Sequence, residues 1–198
     1  MTAPGHSSGG ALLPPLDSDP NPGTLRAVLH LFYDLLWVVT MLLSAPWWVG
    51  RALLQREFRA MVLERLTLGL PELAPTGSAV RLLVHGVSVG EVKAAHTLVR
   101  ALATQHPDWE VVISATTHTG LELARKIYPG LTGVRFPSDL SPVVGRFLRK
   151  VRPTSVVLVE LEIWPNFLRA ANRRGVPVAV VNGRITETSF RHYRLFRR

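Results

Sequence analysis

From residue 79 onward the chain alternates short apolar runs with amphipathic stretches. The runs VRLLVHG (80–86), EVVISA (110–115), GVRF (133–136), SVVLVE (155–160) and PVAVVNG (177–183) are rich in β-branched residues and show no polar alternation. That pattern predicts strands covered on both faces. Between them, EVKAAHTLVRALATQH (91–106), GLELARKIY (120–128), SPVVGRFLRKV (141–151) and NFLRAANRRG (166–175) repeat apolar residues at helical spacing, the last closed by glycine. Five β units joined by helices predict a parallel, right-handed α/β sandwich over residues 79–198, a Rossmann-like sheet flanked by helices.

Upstream the pattern differs. Residues 1–24 are rich in Gly, Pro and Ser, hold no Lys or Arg, and predict a disordered tail. Between Arg26 and Arg51 lie 24 residues whose only formal charge is Asp34, and about 20 apolar residues suffice to cross a bilayer. Trp47 and Trp48, just before Arg51, suit the aromatic belt at a membrane surface. The stretch 25–50 therefore predicts a membrane-anchor helix, spanning or lying deep in one leaflet. A buried amphipathic helix, which His30, Asp34 and Pro46 suit, is the competing form; a signal peptide lacks its basic n-region and its cleavage site. Arg51, Arg56, Arg59 and Arg65 follow the apolar run and only Arg26 precedes it, so the positive-inside rule places the downstream domain in the cytoplasm, at the inner membrane. Residues 51–78 form a basic juxtamembrane helix and linker on this reading.

Composition narrows the chemistry. A chain of 198 residues has room for one domain and an appendage. With no cysteine, a disulfide framework, a thiolate metal site and a cysteine nucleophile are excluded. The net charge of +9, from 23 basic and 14 acidic residues, calls for an anionic partner: nucleic acid, a membrane surface or a phosphorylated ligand. The runs Arg146/Arg149/Lys150/Arg152 and Arg169/Arg173/Arg174 fall on helices, as solvated faces or as contacts to anionic headgroups. No nucleic-acid motif and no interleaved aromatics accompany them, so nucleic acid is not the expected partner.

Ligands of parallel α/β sheets bind at the carboxyl ends of the strands, which directs attention to the polar residues there. Gly86-Val87-Ser88-Val89-Gly90 matches a nucleophile elbow, but the later histidines (His96, His106, His118 and His192) do not supply a triad in chain order. A dinucleotide fingerprint fails because Ser88 and Glu91 stand where glycines belong. Glu91, in the first turn of a helix behind a glycine-flanked loop, suits either an ordinary dipole-favoured acid or a general base acting on an incoming hydroxyl. Ser88 and Gly90 in that loop, and Thr117 after the second strand, are candidate substrate contacts. Glu160 and Glu162, two apart on an extended strand, point the same way. They either bind a ligand or pair with Arg184 or Arg135. Trp164 offers a sugar-stacking surface or a core side chain, Asn166 a turn-closing cap, and Arg184 beside Asn182 an anion contact.

Three of these segments together resemble a known family. His85-Gly86-Val87-Ser88-Val89-Gly90-Glu91, Glu160 to Asn166, and Val181-Asn182-Gly183-Arg184-Ile185, following an apolar anchor, resemble the 3-deoxy-D-manno-octulosonic acid (Kdo) transferases of lipopolysaccharide synthesis. The resemblance runs from about residue 26 to the chain end, and Gly86 stands where the family usually has alanine or another small residue. It implies an inverting, metal-independent glycosyltransferase of the GT-B type, with two Rossmann-like domains facing across a cleft. The implied donor is CMP-Kdo and the implied acceptor a lipid A precursor at the cytoplasmic membrane face. Glu91 takes the place of the family's general base and Glu160 that of another functionally important acid. Ser88, Gly90, Thr117, Glu162, Trp164, Asn166, Asn182 and Arg184 are the expected substrate-binding residues. The chain ends at Arg198 within a helix-like pattern, so the expectation is an anchor plus the acceptor-binding half, without the C-terminal donor domain and inactive alone. A non-catalytic, membrane-anchored module that holds an anionic lipid or a partner protein is the alternative.

Overall fold

The computed structural model describes residues 22–74, 77–160 and 163–183. Its centre is a five-stranded parallel sheet of order β3-β2-β1-β4-β5. The strands are β1 Arg81–Gly86, β2 Glu110–Ala115, β3 Thr132–Arg135, β4 Ser155–Val159 and β5 Val178–Val181. Seven helices accompany them among the described residues: α1 Pro22–Leu54, α2 Arg56–Arg65, α3 Val89–Ala94, α4 His96–Gln105, α5 His118–Ile127, α6 Ser141–Val151 and α7 Pro165–Arg173.

Alternation along the strands builds two cores from the apolar runs. Leu82, Val84 and Ile113 face one way, onto Val92, Val99 and Leu121 of α3, α4 and α5. Leu83, Val112 and Val156 face the other way, onto Val144 and Phe147 of α6 and Phe167 of α7. Phe136 centres this second core, with ring centroids 4.8 Å from Phe167 and 5.9 Å from Phe147. All six residues of β1 are buried, as its continuous apolar run predicts. The sheet is the expected parallel α/β arrangement, with β2 and α6 at their expected bounds.

Two segments depart from expectation. The single helix expected over 91–106 is divided into α3 and α4 at Ala95, whose φ of −66° and ψ of −13° keep the chain helical while turning its axis. The expected tail over 1–24 lies outside the described residues except for its last three, which already begin α1.

α1 runs for 33 residues, longer than the stretch 25–50 expected of it. Its segment Ala27–Leu54 has a mean hydropathy of 1.8, is long and apolar enough to cross a membrane, and has none of its most apolar window buried. Three polar side chains of its C-terminal half bond within the helix. Thr40 donates to Leu36 O (2.8 Å), Ser44 to Thr40 O (2.6 Å) and the Trp48 indole to Met41 O (3.0 Å). Bonded in this way, they present no free donor to a nonaqueous surrounding.

The N-terminal half of α1 behaves differently, because it docks on the sheet domain. Asp34 Oδ1 accepts from Ser141 N (3.0 Å) at the start of α6 and from Asn166 Nδ2 (2.7 Å) in the first turn of α7. His30 Nδ1 lies 3.2 Å from Asn166 Oδ1. Asn166 is itself fixed by Asp139: Nδ2 donates to Asp139 O (2.7 Å), and the backbone N–H groups of Asn166 (3.1 Å) and Phe167 (2.8 Å) donate to the two Asp139 carboxylate oxygens. α2 then returns along α1, with Trp47 and Phe58 in edge contact at 5.8 Å. Ser138 N donates to Arg65 O (2.8 Å), and Arg146 and Lys150 donate to the carbonyls of Leu66, Thr67 and Leu70, pinning the end of α2 to α6.

The lone acid of the apolar helix is therefore a tertiary fastener. Asp34→Leu raises the hydropathy of α1 yet leaves Ser141 N–H and Asn166 Nδ2 without that acceptor. The expected outcome is a loss of about 1–3 kcal/mol of stability, measured as a lower Tm; an unchanged Tm would show that the docking contributes nothing.

Candidate active site

The strand order changes direction between β1 and β4, the neighbours at the centre of the sheet, and in open α/β sheets this switch point forms the ligand crevice at the carboxyl edge. The passage from β1 into the first turn of α3 carries Ser88, Gly90 and Glu91, and the turn after β4 carries Glu160 and Trp164. The two candidate acids thus stand on the two strands that flank the crevice.

Glu91 is buried, at 8% exposure, in the first turn of α3. Its Oε2 accepts from Val87 N (2.6 Å) and its Oε1 from the Ser88 hydroxyl (2.9 Å). The acid holds its own loop in a variant of the capping box, in which a third-position glutamate reaches back to the residues before the helix. Ser88 is the N-cap residue and fixes one carboxylate oxygen. Gly90 lies open: a methyl group added there would meet only Ser88 Oγ, at 3.8 Å. Gly86 is the opposite case, since a Cβ there would sit 3.0 Å from Glu91 Cβ and 3.1 Å from Val92 N. Even an alanine at this position has to displace the start of α3 by a few tenths of an ångström.

Thr117 joins this loop to the next one. It is the N-cap of α5, accepting from Gly120 N at 3.1 Å, while its hydroxyl donates to Val87 O (3.2 Å) and its N–H donates to the same carbonyl (3.1 Å). Val87 is thereby held from both sides, by Glu91 and by Thr117, which fixes the orientation of the Glu91 carboxylate.

At the end of β4 the extended conformation stops one residue earlier than expected. Glu160 has φ of +68°, in the left-handed region, so the premise that Glu160 and Glu162 share one side of a strand does not hold. Asn182, the first residue after β5, is also left-handed (φ +55°). Asparagine tolerates that region, whereas for glutamate it costs about 1–2 kcal/mol. Neighbouring strands therefore both end in left-handed residues at the candidate site, where such strain is commonly held. Glu162 and Arg184 lie outside the described residues.

Of the proposed ion-pair partners for Glu160, Arg135 is engaged elsewhere: Nε donates to Glu64 (2.6 Å) and Nη1 to Thr116 O (3.1 Å). Trp164 packs against the Phe136 core, its ring centroid 5.8 Å away and its indole N–H buried without a partner among the described residues. Asn166, 2% exposed, links Asp34, His30 and Asp139 as described above.

Three residues carry more of the site than their sequence context signals. Asp139 is fully buried, and burial raises its carboxyl from 3.8 to about 6, against the lowering effect of the Asn166 and Phe167 N–H bonds. His85 is fully buried, stacked on Phe136 at 3.7 Å, with Nδ1 3.0 Å from Ser114 Oγ. Burial, assisted by the nearby Arg65 charge, lowers His85 from 6.5 to about 3, so its ring is neutral and structural rather than a base. The third is Asp34, whose only sequence signal is its isolation in an apolar run.

The fold and its site define the class as a parallel α/β domain of Rossmann-like order, with candidate acids at the switch point of its sheet. The family model for 3-deoxy-D-manno-octulosonic acid transferase (Kdo transferase) matches residues 49–198, and the chain belongs to that family. It is similar to the 3-deoxy-D-manno-octulosonic acid transferases of Chlamydia pneumoniae (27% identity over 176 residues, 88% of this chain and 40% of that protein) and Bordetella pertussis (36% over 124 residues, 60% of this chain and 28% of that protein). A bifunctional glycosyltransferase/methyltransferase of Fusobacterium nucleatum is 34% identical over 114 residues, 56% of this chain and 18% of that protein. The chain thus spans at most about 40% of the length of these relatives.

Two predictions follow from the titrating and strained residues. His85, lowered to about 3, stays neutral in the fold while the unfolded chain takes up a proton below 6.5, so its contribution to stability drains away as pH falls from 6.5. Asp139, raised to about 6, acts in the opposite sense between 6 and 3.8, but with the smaller displacement. Tm is therefore expected to fall from pH 7 to pH 5, and to fall less in His85→Asn, which keeps a polar atom toward Ser114; equal falls in both proteins would place the acid sensitivity elsewhere. Glu160→Gly relieves the left-handed strain, and an unchanged or higher Tm, by up to about 1 kcal/mol of stability, is expected. A clear loss would mean that the Glu160 side chain supports the fold.

Proposed function

We propose that this chain is the acceptor-binding part of a transferase that moves Kdo from CMP-Kdo to a lipid A precursor, lipid IVA, in lipopolysaccharide core biosynthesis. The observation that supports this best is the Glu91 carboxylate, fixed through both oxygens at the switch-point loop. In the reaction, an acceptor hydroxyl attacks the anomeric carbon of Kdo from the face opposite the nucleotide. The new C–O bond forms as the bond to the CMP phosphate breaks, CMP leaves with the electron pair, and the configuration inverts. Glu91 takes the hydroxyl proton. Its bonds to Val87 N and Ser88 Oγ aim the carboxylate and leave lone pairs for that proton.

Glu160, Trp164 and Asn182 at the ends of β4 and β5, with Ser88, Gly90 and Thr117, frame the acceptor on this reading; Glu162 and Arg184 complete the set proposed from the sequence. The step is written without a metal, as the resemblance to the family implies, with the charge of the leaving CMP met by contacts from a donor domain. α1 is the membrane-binding element, which puts the crevice at the surface carrying the lipid acceptor, on the cytoplasmic side by the arginines that follow the helix.

Glu91→Gln, in this chain joined to a donor domain, separates an enzyme from a binding module. Gln keeps an oxygen for Val87 N–H, so the loop is expected to persist. Transfer from CMP-Kdo is expected to fall about 10²–10⁴-fold with acceptor binding retained. Unchanged transfer would remove Glu91 from the chemistry.

A further inference from the structure

Apart from Arg149, which is exposed on α6, the basic residues of α6, α7 and the positions just after them divide into two groups. Arg146 and Lys150 donate to the carbonyls that end α2, and Arg152 pairs with Glu72. These cations hold the fold together. Arg174 does so as well: Nη2 donates to Gly145 O (3.1 Å) and Nη1 to Ala170 O (3.3 Å), so it ties the two helices together where Gly145 leaves room.

Arg169 and Arg173 do not. They stand four residues apart on one face of α7, a spacing at which like charges repel, and neither has a hydrogen bond or ion pair among the described residues. Both line a cleft of about 230 Å³ between α6 and α7, together with Ser141, Gly145, Asn166 and Arg174. No acid lines it. Arg169 is half-buried there, so part of its hydration is lost with no carboxylate in return. Two guanidinium forks one helical turn apart fit the oxygens of a phosphate group.

The position of the cleft indicates where the phosphate comes from. Ser141 and Asn166 at its end are the residues that hold Asp34, so the cleft opens beside the N-terminal half of α1. That part of α1 exposes Leu31, Phe32 and Leu35. An apolar helix next to a cleft lined by arginines matches the two ends of a phospholipid. We propose that the α6–α7 cleft binds the phosphate headgroup of an anionic phospholipid in the leaflet that receives α1. This rests on the membrane role proposed for α1.

Co-sedimentation of the full chain with vesicles of phosphatidylcholine, with and without phosphatidylglycerol, tests it at fixed ionic strength. Arg169→Gln/Arg173→Gln is expected to lose roughly thirty-fold in affinity for phosphatidylglycerol vesicles, at about five-fold per arginine, and to bind pure phosphatidylcholine as the wild type does. Arg100→Gln/Lys126→Gln carries the same charge change on α4 and α5, across the sheet, and is expected to lose much less. Equal losses in the two variants would overturn the cleft in favour of diffuse surface charge. A loss shown only when a phosphorylated lipid A precursor is added would overturn it in favour of an acceptor contact. Failure of the wild type to bind either vesicle would instead overturn the membrane role of α1, and the headgroup site with it.

Discussion

One carboxylate sets how the apolar helix meets the sheet. A charge in the midst of an otherwise uncharged helical run is costly wherever the helix is buried or immersed in lipid, and Asp34 meets that cost through Ser141 N–H and the Asn166 amide. Because Asn166 also bonds Asp139, and Asp139 caps the start of α7, one chain of hydrogen bonds runs from α1 through the start of α7 to the loop that follows β3. The orientation of α1 and the seating of α6 and α7 are thus properties of the same network, whose bonds support one another.

On the other side of the switch point, order comes from short-range contacts. Glu91, Ser88, Val87 and Thr117 form a closed set of bonds that spans two successive loops, and Gly86 and Gly120 let those loops approach the strands. The β4 and β5 ends rely on backbone conformation instead, with left-handed Glu160 and Asn182. The crevice therefore has one wall fixed by side-chain bonds and another by strained main chain. A rigid wall suits a group that must hold a proton acceptor in place, and a strained one suits contacts completed by a ligand.

Much of this was legible in the sequence. Parallel strands buried on both faces leave unbroken apolar runs, and that is why β1, β2 and β4 stand out without any alignment. The order of polar residues at strand ends led to Glu91 and Glu160, because the edge of such a sheet is where ligands are held. What was not legible is non-local or conformational. Nothing local marks the turn at Ala95, which lacks glycine and proline, and a left-handed glutamate is rare enough that no propensity anticipates it. Thr117 and Asn166 occupy the expected edge, yet their hydrogen bonds to Val87 and to Asp34 depend on segments 30 and 132 residues away. Apolar periodicity carries no information over such distances.

The separation between Asp34 and its partners also orders events during synthesis. α1 emerges first, but Ser141 follows Asp34 by 107 residues and Asn166 by 132. At ribosomal speeds of about 5–20 residues per second, that gap lasts on the order of ten seconds. The bonds that seat Asp34 and His30 therefore form only once α7 has been made, so the helix that is made before the sheet is docked after it.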